Sequence, residues 1–162
     1  MTTTESLQKL SLHKGYIFVV DDDIDDRELI SDALMENKLN KDQIQLAANG
    51  FDLIEKLQQN NTLPRFILLD LNMPKMDGKE VLATLKKSDT FRHIPVIIFS
   101  TSDADKDIQD CYQLGCSAYL SKPLDYTSLL DVMQVTLGFW NNVLTKLLSH
   151  PLSVSMEPKL NS

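Results

Sequence analysis

Uninterrupted apolar runs alternate along this chain with stretches where apolar residues recur every three or four positions. Tyr16-Ile17-Phe18-Val19-Val20, Phe66-Ile67-Leu68-Leu69 and Val96-Ile97-Ile98-Phe99 are apolar throughout, as strands buried on both faces require. Pro95 opens the last of these, at a strand start where no ladder bond is lost. Ile44-Gln45-Leu46-Ala47 is weaker and reads as a strand nearer an edge. Ala118-Tyr119-Leu120 is short and ends at Ser121-Lys122-Pro123. The stretches between them read as helices. Ile30, Ala33 and Leu34 share a face in the first, Leu53, Ile54 and Leu57 in the second, and Val81, Leu82 and Leu85 in the third. Ala104, Ile108, Cys111 and Tyr112 mark the fourth, with Ser102 as its N-cap and Gly115 as its terminator. A fifth runs from about Asp125 into the 140s.

Strands alternating with helices predict an α/β domain, a parallel sheet covered by helices on both faces. Right-handed crossovers leave few ways to wind it. In such sheets ligands sit beyond the carboxyl ends of the strands, so the residues after each strand are the functional candidates. Asp21-Asp22-Asp23 follows the first strand, Asp70 the third, Ser100 and Thr101 the fourth, and Lys122 with Pro123 the fifth. Two unit charges ~4 Å apart repel by ~4 kcal/mol at an effective dielectric of ~20. Carboxylates gathered on one rim must therefore protonate, separate or bind a cation, and an all-oxygen donor set suits Mg²⁺. Asp23 or Asp25 also suits the cap of the first helix.

Composition narrows the function classes. The 162 residues carry 16 Lys+Arg against 23 Asp+Glu, a formal charge of −7. That balance argues against nonspecific nucleic-acid binding. No apolar run approaches the ~20 residues of a membrane span, and residues 1–14 lack the apolar stretch of a secretory signal. Cys111 and Cys116 are too few for a disulfide framework or a four-ligand zinc site, and no nearby histidine activates either thiol. His13, His93 and His150 are scattered. The expected compartment is the reduced cytoplasm.

Four segments together are identified as a family resemblance: Val19-Val20-Asp21-Asp22, Leu69-Asp70-Leu71-Asn72-Met73-Pro74-Lys75-Met76-Asp77-Gly78, Phe99-Ser100-Thr101 and Tyr119-Leu120-Ser121-Lys122-Pro123. In order and spacing they resemble the receiver domain of two-component response regulators, over about residues 15–137. The resemblance implies a flavodoxin-like doubly wound (βα)5 fold with strand order 2-1-3-4-5. It implies that Asp70 accepts a phosphoryl group from a phosphohistidine on a sensor histidine kinase or phosphotransfer protein. Asp22 and Asp70 would hold Mg²⁺ directly, Asp21 through water, and Asn72 through its backbone carbonyl. Lys122 would meet a phosphoryl oxygen. Ser100 occupies the switch-hydroxyl position, with Thr101 as the alternative donor, and Tyr119 fits the switch aromatic. Ser102, two positions after Ser100, falls where relatives vary and phosphate loss is tuned. A cis peptide is expected at Lys122–Pro123. Met73 and Met76 read as packing or loop residues rather than ligands, Pro74 as a stiffener of the loop after Asp70, and Gly78 as a turn residue. Such a protein is a switch rather than a turnover enzyme, with self-catalysed phosphoryl uptake and slow autodephosphorylation.

The expected organisation is a loose arm over 1–14, a receiver domain over 15–137, and an extension of the fifth helix with a fraying tail over 138–162. The 25 residues after Leu137 are too few for a DNA-binding or enzymatic output domain, so output is expected through protein–protein binding. In the fifth helix Leu130, Met133, Leu137, Trp140, Leu144 and Leu147 form one stripe. Leu129, Val132, Thr136, Phe139 and Val143 lie beside it. A helix apolar on two sides needs a second cover, and a homodimer through this helix is the favoured one. The extended helix with Gly138-Phe139-Trp140 also resembles, more weakly, the single-domain regulators that pair with bacterial phytochromes. Three other readings are weighed. A haloacid-dehalogenase-like phosphohydrolase would use Asp21-Asp22-Asp23 as its nucleophile motif, but only isolated Asp125 and Asp131 follow Lys122, and Asp70 is left unexplained. A degenerate receiver acting as a constitutive interaction module conflicts with the intact Asp21, Asp22, Asp70, Ser100 and Lys122. An EF-hand fails, since Asp26 and Asp32 stand where Gly and Glu are needed.

Overall fold

The computed structural model of the protein describes residues 15–149, with side chains as far as residue 140. The expected arm over 1–14 and the tail from 150 onward lie outside the described residues. Five strands, β1 (Ile17–Val20), β2 (Ile44–Ala47), β3 (Phe66–Leu69), β4 (Val96–Ser100) and β5 (Ala118–Ser121), alternate with five helices. These are α1 (Ile24–Glu36), α2 (Gly50–Gln59), α3 (Gly78–Lys87), α4 (Asp105–Leu114) and α5 (Tyr126–Ser149). The sheet is parallel, in the order β2-β1-β3-β4-β5. This is the doubly wound order the resemblance implied.

Because strand side chains alternate between faces, each apolar run supplies two cores. Ile17, Val19, Phe66, Leu68, Ile97 and Phe99 face α1 and α5, meeting Ile30, Ala33, Leu34, Leu129, Met133 and Leu137. Phe18, Val20, Ile67, Leu69, Val96 and Ile98 face α2, α3 and α4, meeting Leu53, Leu57, Val81, Leu82, Leu85 and Cys111. That double duty is why the runs have no polar alternation. β2 stands at an edge and is only partly buried, as its mixed sequence predicts.

Several local expectations change. Ser102 is not the N-cap of α4: the helix begins at Asp105, Ala104 holds the cap position, and no side chain caps it. The Ser102 hydroxyl instead donates to Asp107 Oδ2 at 2.6 Å, and its oxygen accepts from the Ala104 amide at 3.4 Å, just ahead of the helix. In α4 only Cys111 is buried, while Ala104 and Tyr112 are exposed. Gly115 ends that helix as expected, in the left-handed conformation at φ 100°. No peptide bond among the described residues is cis, so Lys122–Pro123 is trans. The preference at an X–Pro bond is only ~0.5–1 kcal/mol, and surrounding contacts decide it. The two apolar stripes of α5 are not separate faces. Leu129 and Thr136 are buried with Met133 and Leu137, and Leu130, Val132 and Trp140 are half-buried; Val135 and Phe139 are exposed. The side chains of Val143, Leu144 and Leu147 lie outside the described residues. No helix among the described residues is long and apolar enough to cross a membrane.

Candidate functional site

The carboxyl ends of β1, β3, β4 and β5 meet on one rim. Asp21 extends β1 by one ladder bond, its amide donating to the Ala47 carbonyl at 3.2 Å. Asp70 extends β3 in the same way, donating to Val20 at 3.0 Å. Lys122 extends β5, its amide donating to the Ser100 carbonyl at 2.9 Å. The backbone ladder therefore fixes the positions of three ionisable residues before their side chains meet.

The side chains converge. Asp21 and Asp70 are buried and Asp22 is exposed, and the three carboxylates each offer an oxygen within 4.8 Å of the others. Lys122 reaches in from β5. Its Nζ lies 2.6 Å from Asp21 Oδ2, 3.1 Å from Asp26 Oδ2 and 3.5 Å from Asp70 Oδ1. Asp21 Oδ1 accepts from the Asp23 amide at 3.0 Å, so both of its oxygens are engaged. Asp23 is the α1 cap, accepting from the amides of Asp25 and Asp26; Asp25 is not.

One ammonium does not neutralise this cluster. Burial pushes the Asp70 carboxyl up to about 6; Lys122 opposes the shift, and the nearby Asp21 and Asp22 charges add to it. Asp21 is raised too, chiefly by burial, with Lys122 opposing. Burial alone would lower Lys122, but its bonds to Asp21, Asp70 and Asp26 hold it above its ordinary value. Three carboxylates in all-oxygen surroundings, with residual negative charge, fit a hard divalent cation.

Ser100 is fully buried, and its Oγ accepts from the Ser102 amide at 3.1 Å. Thr101, the residue just past β4, is exposed. Tyr119 is half-buried against the α2–α4 core, and its hydroxyl donates to the Ser102 carbonyl at 2.7 Å. Asn72 is exposed, in a shallow cleft with Met73, Asp77, Lys79 and Asp107. Met73 is buried and Met76 packs on the core, as expected. Gly78 is needed for a reason other than a turn: a Cβ there would collide with the Asp70 carbonyl oxygen and the Leu71 Cα. The left-handed residue of this loop is Lys75, at φ 70°.

Three contributors escaped the sequence: Asp26, Arg27 and the Lys79 ion pairs. Asp26 is a second partner for Lys122. Its place three residues after the Asp23 cap puts it in the first turn of α1, pointing back toward the strand ends. The Arg27 guanidinium donates to the Asp21 carbonyl at 2.6 Å and ties the β1–α1 loop to the helix. Lys79 in α3 pairs with Asp107 and Asp110 of α4, at 2.7 and 2.9 Å. The two aspartates stand three apart on one helix face, which was the available signal for a cation opposite them.

Comparison with known proteins decides the family. A model of the response regulator receiver domain matches residues 17–134. The chain belongs to that family. Among relatives of this receiver domain is response regulator Rcp1 of Synechocystis sp., 33% identical over 134 residues, which are 80% of this chain and 90% of Rcp1. Among solved structures, a phosphorylated cyanobacterial phytochrome response regulator, RcpA, matches with a TM-score of 0.71 and 33% identity, over 80% of this chain and 95% of that one. An Mn(2+)-bound form of Rcp1 matches at 0.69 and 31%, over 78% and 94%. Receiver domains are phosphorylation-activated switches of two-component systems, generally signalling proteins rather than enzymes, and work with histidine kinases or phosphotransfer partners. This chain is such a switch, and neither the phosphohydrolase nor the constitutive-module reading is favoured.

Proposed function

We propose that Asp70 is the residue that takes the phosphoryl group. Its carboxylate oxygen attacks the phosphorus of a phosphohistidine, the P–N bond breaks, and the imidazole leaves with the electron pair, giving an acyl phosphate. Convergence of Lys122 on Asp70 and Asp21 from a separate strand supports this most directly, because a cation held there meets charge as it transfers. Asp22 and Asp70 are the direct ligands for Mg²⁺, with the Asn72 carbonyl, and an ion there would neutralise the transferring oxygens. Asp21, with both oxygens already engaged, suits contact through water. Buried Ser100, not exposed Thr101, donates its hydroxyl to the phosphoryl group. Tyr119 follows it as the switch aromatic, exchanging its bond to Ser102 for a buried position. Uptake and slow loss of the phosphoryl group are catalysed by the domain itself.

Incubation with Mg²⁺ and acetyl phosphate, followed by peptide mass spectrometry, tests the assignment. The expected result is one hydroxylamine-labile phosphoryl group on Asp70, absent in Asp70→Asn. An adduct on Asp21 with multiple turnover would indicate a hydrolase, and no adduct would indicate a constitutive module.

The folded unit covers 15–137, and the remaining helix serves output. The protein signals in the cytoplasm by binding other proteins, without contact with DNA or membrane. Its upstream kinase is of the phytochrome type, a reading supported by similarity to a phytochrome response regulator. Exposed Val135 and Phe139 lie one turn apart on α5 and mark the seam of a homodimer.

A further inference from the structure

We propose that Asp26 is a positioning residue that holds the Lys122 ammonium in place while phosphoryl transfer occurs, an inference resting on Asp70 being the acceptor. An ammonium on a four-carbon stem has three donors and no directional preference of its own. Its acceptors must therefore fix where it points. Here they are Asp21, Asp26 and Asp70. Two of the three have other roles at the site. Asp70 gives an oxygen to phosphorus, and Asp21 belongs to the carboxylate cluster that fits a divalent cation. Asp26 belongs to neither: it lies outside that cluster and is anchored in the first turn of α1. It is the acceptor with no other role at the site.

The surroundings leave Lys122 few other anchors. It is about nine-tenths buried, and the cleft beside it is lined by Asp26, Asp125, Leu29, Phe99, Pro123 and Tyr126. Both oxygens of Asp125 are taken by the Ser128 amide and hydroxyl, and apart from Asp26 the rest present mainly apolar surface. Asp26 is an anion near an anionic transfer, so its direct electrostatic effect opposes the reaction. Its side chain is 42% exposed, however, and water screens that repulsion at a distance far more than it weakens a 3.1 Å bond to a buried ammonium. Holding the lysine therefore outweighs repelling the phosphoryl group.

Phosphoryl uptake from acetyl phosphate with Mg²⁺, followed over a range of donor concentrations, tests this in four forms besides wild type: Asp26→Asn, Asp26→Glu, Lys122→Gln and the double variant Asp26→Asn/Lys122→Gln. Asp26→Asn is expected to lower the maximal rate about tenfold while leaving donor half-saturation within about twofold. Asp26→Glu recovers most of the loss. The double variant is no slower than Lys122→Gln, because Asp26 acts only through the lysine. Calorimetric Mg²⁺ affinity of Asp26→Asn stays within about twofold of wild type, since Asp26 is not a ligand. A rate for Asp26→Asn equal to or above wild type would overturn the inference, and so would losses that multiply in the double variant. Should Lys122→Gln not fold, the contrast between Asp26→Asn and Asp26→Glu decides alone. Absence of label on wild-type Asp70 would instead bring down the functional assignment, and this inference with it.

Discussion

Asp70 is where burial and charge conflict most sharply. Its carboxyl is pushed up to about 6 from an ordinary 3.8, so the folded state holds its proton more tightly than the unfolded chain. The sign follows: its contribution favours folding fully below about pH 4 and is lost as pH rises through about 6. Near pH 7 the ionised group costs at most ~3 kcal/mol, about two pKa units at 1.36 kcal/mol each. Asp70→Asn in the absence of divalent ions should then be more stable than wild type at pH 7.5, by about 1–3 kcal/mol, with the gain vanishing near pH 4. Urea unfolding at both pH values measures it; a gain that does not depend on pH would exclude this cause. Mg²⁺ should reverse the order by stabilising wild type, by about 2.7 kcal/mol at a hundredfold excess over its Kd, and Asp70→Asn far less. At Gly78 the constraint is steric. Gly78→Ala drives a methyl into the Asp70 carbonyl, and about 1–3 kcal/mol of destabilisation is expected from such overpacking, read as a lower urea midpoint with unchanged slope.

Between elements, two joints surround the site. Lys79 of α3 is held above its ordinary pKa by Asp107 first and Asp110 second, and Asp107 also receives the Ser102 hydroxyl. Since Ser102 bonds in turn to Ser100 and Tyr119, the α3–α4 joint is connected to both proposed switch residues. These side chains are about a third exposed, where ion pairs are weak and screened. Lys79→Met should lower the melting temperature slightly at low salt, and the difference should shrink in 1 M NaCl; a loss indifferent to salt would point to packing instead. The second joint is α1 against α5, where Asn37 donates to the Leu130 carbonyl at 3.2 Å and Tyr126 to Glu36 at 2.9 Å. It covers one face of α5 and leaves Val135 and Phe139 outside. If those two residues form a dimer seam, Val135→Asp should sediment as a monomer at concentrations where wild type, with or without beryllofluoride, is dimeric. A monomeric wild type across micromolar concentrations would dispose of the seam.

For the molecule as a whole, the parallel sheet turns a linear order into a rim. Crossovers place every strand's carboxyl end on the same side, so residues as far apart as Asp21 and Lys122 come within 2.6 Å. Beneath the rim lie two buried cores, built from alternate residues of the same strands. A switch placed on such a base can change partners at the rim without disturbing the fold.

The apolar runs alone determined the strands, since only a segment buried on both faces can dispense with polar alternation. They also determined which residues stand just beyond each strand, and so Asp21, Asp70, Ser100 and Lys122 as candidates. The winding order came from the resemblance of four segments and not from periodicity; the burial of Ser100 against the exposure of Thr101, and the second ion pair of Lys122, were decided in three dimensions. So were the trans peptide before Pro123 and the single buried face of α5. Each depends on which distant surfaces meet and which neighbours compete for one donor or one patch of apolar area, and periodicity along a chain carries no record of that competition.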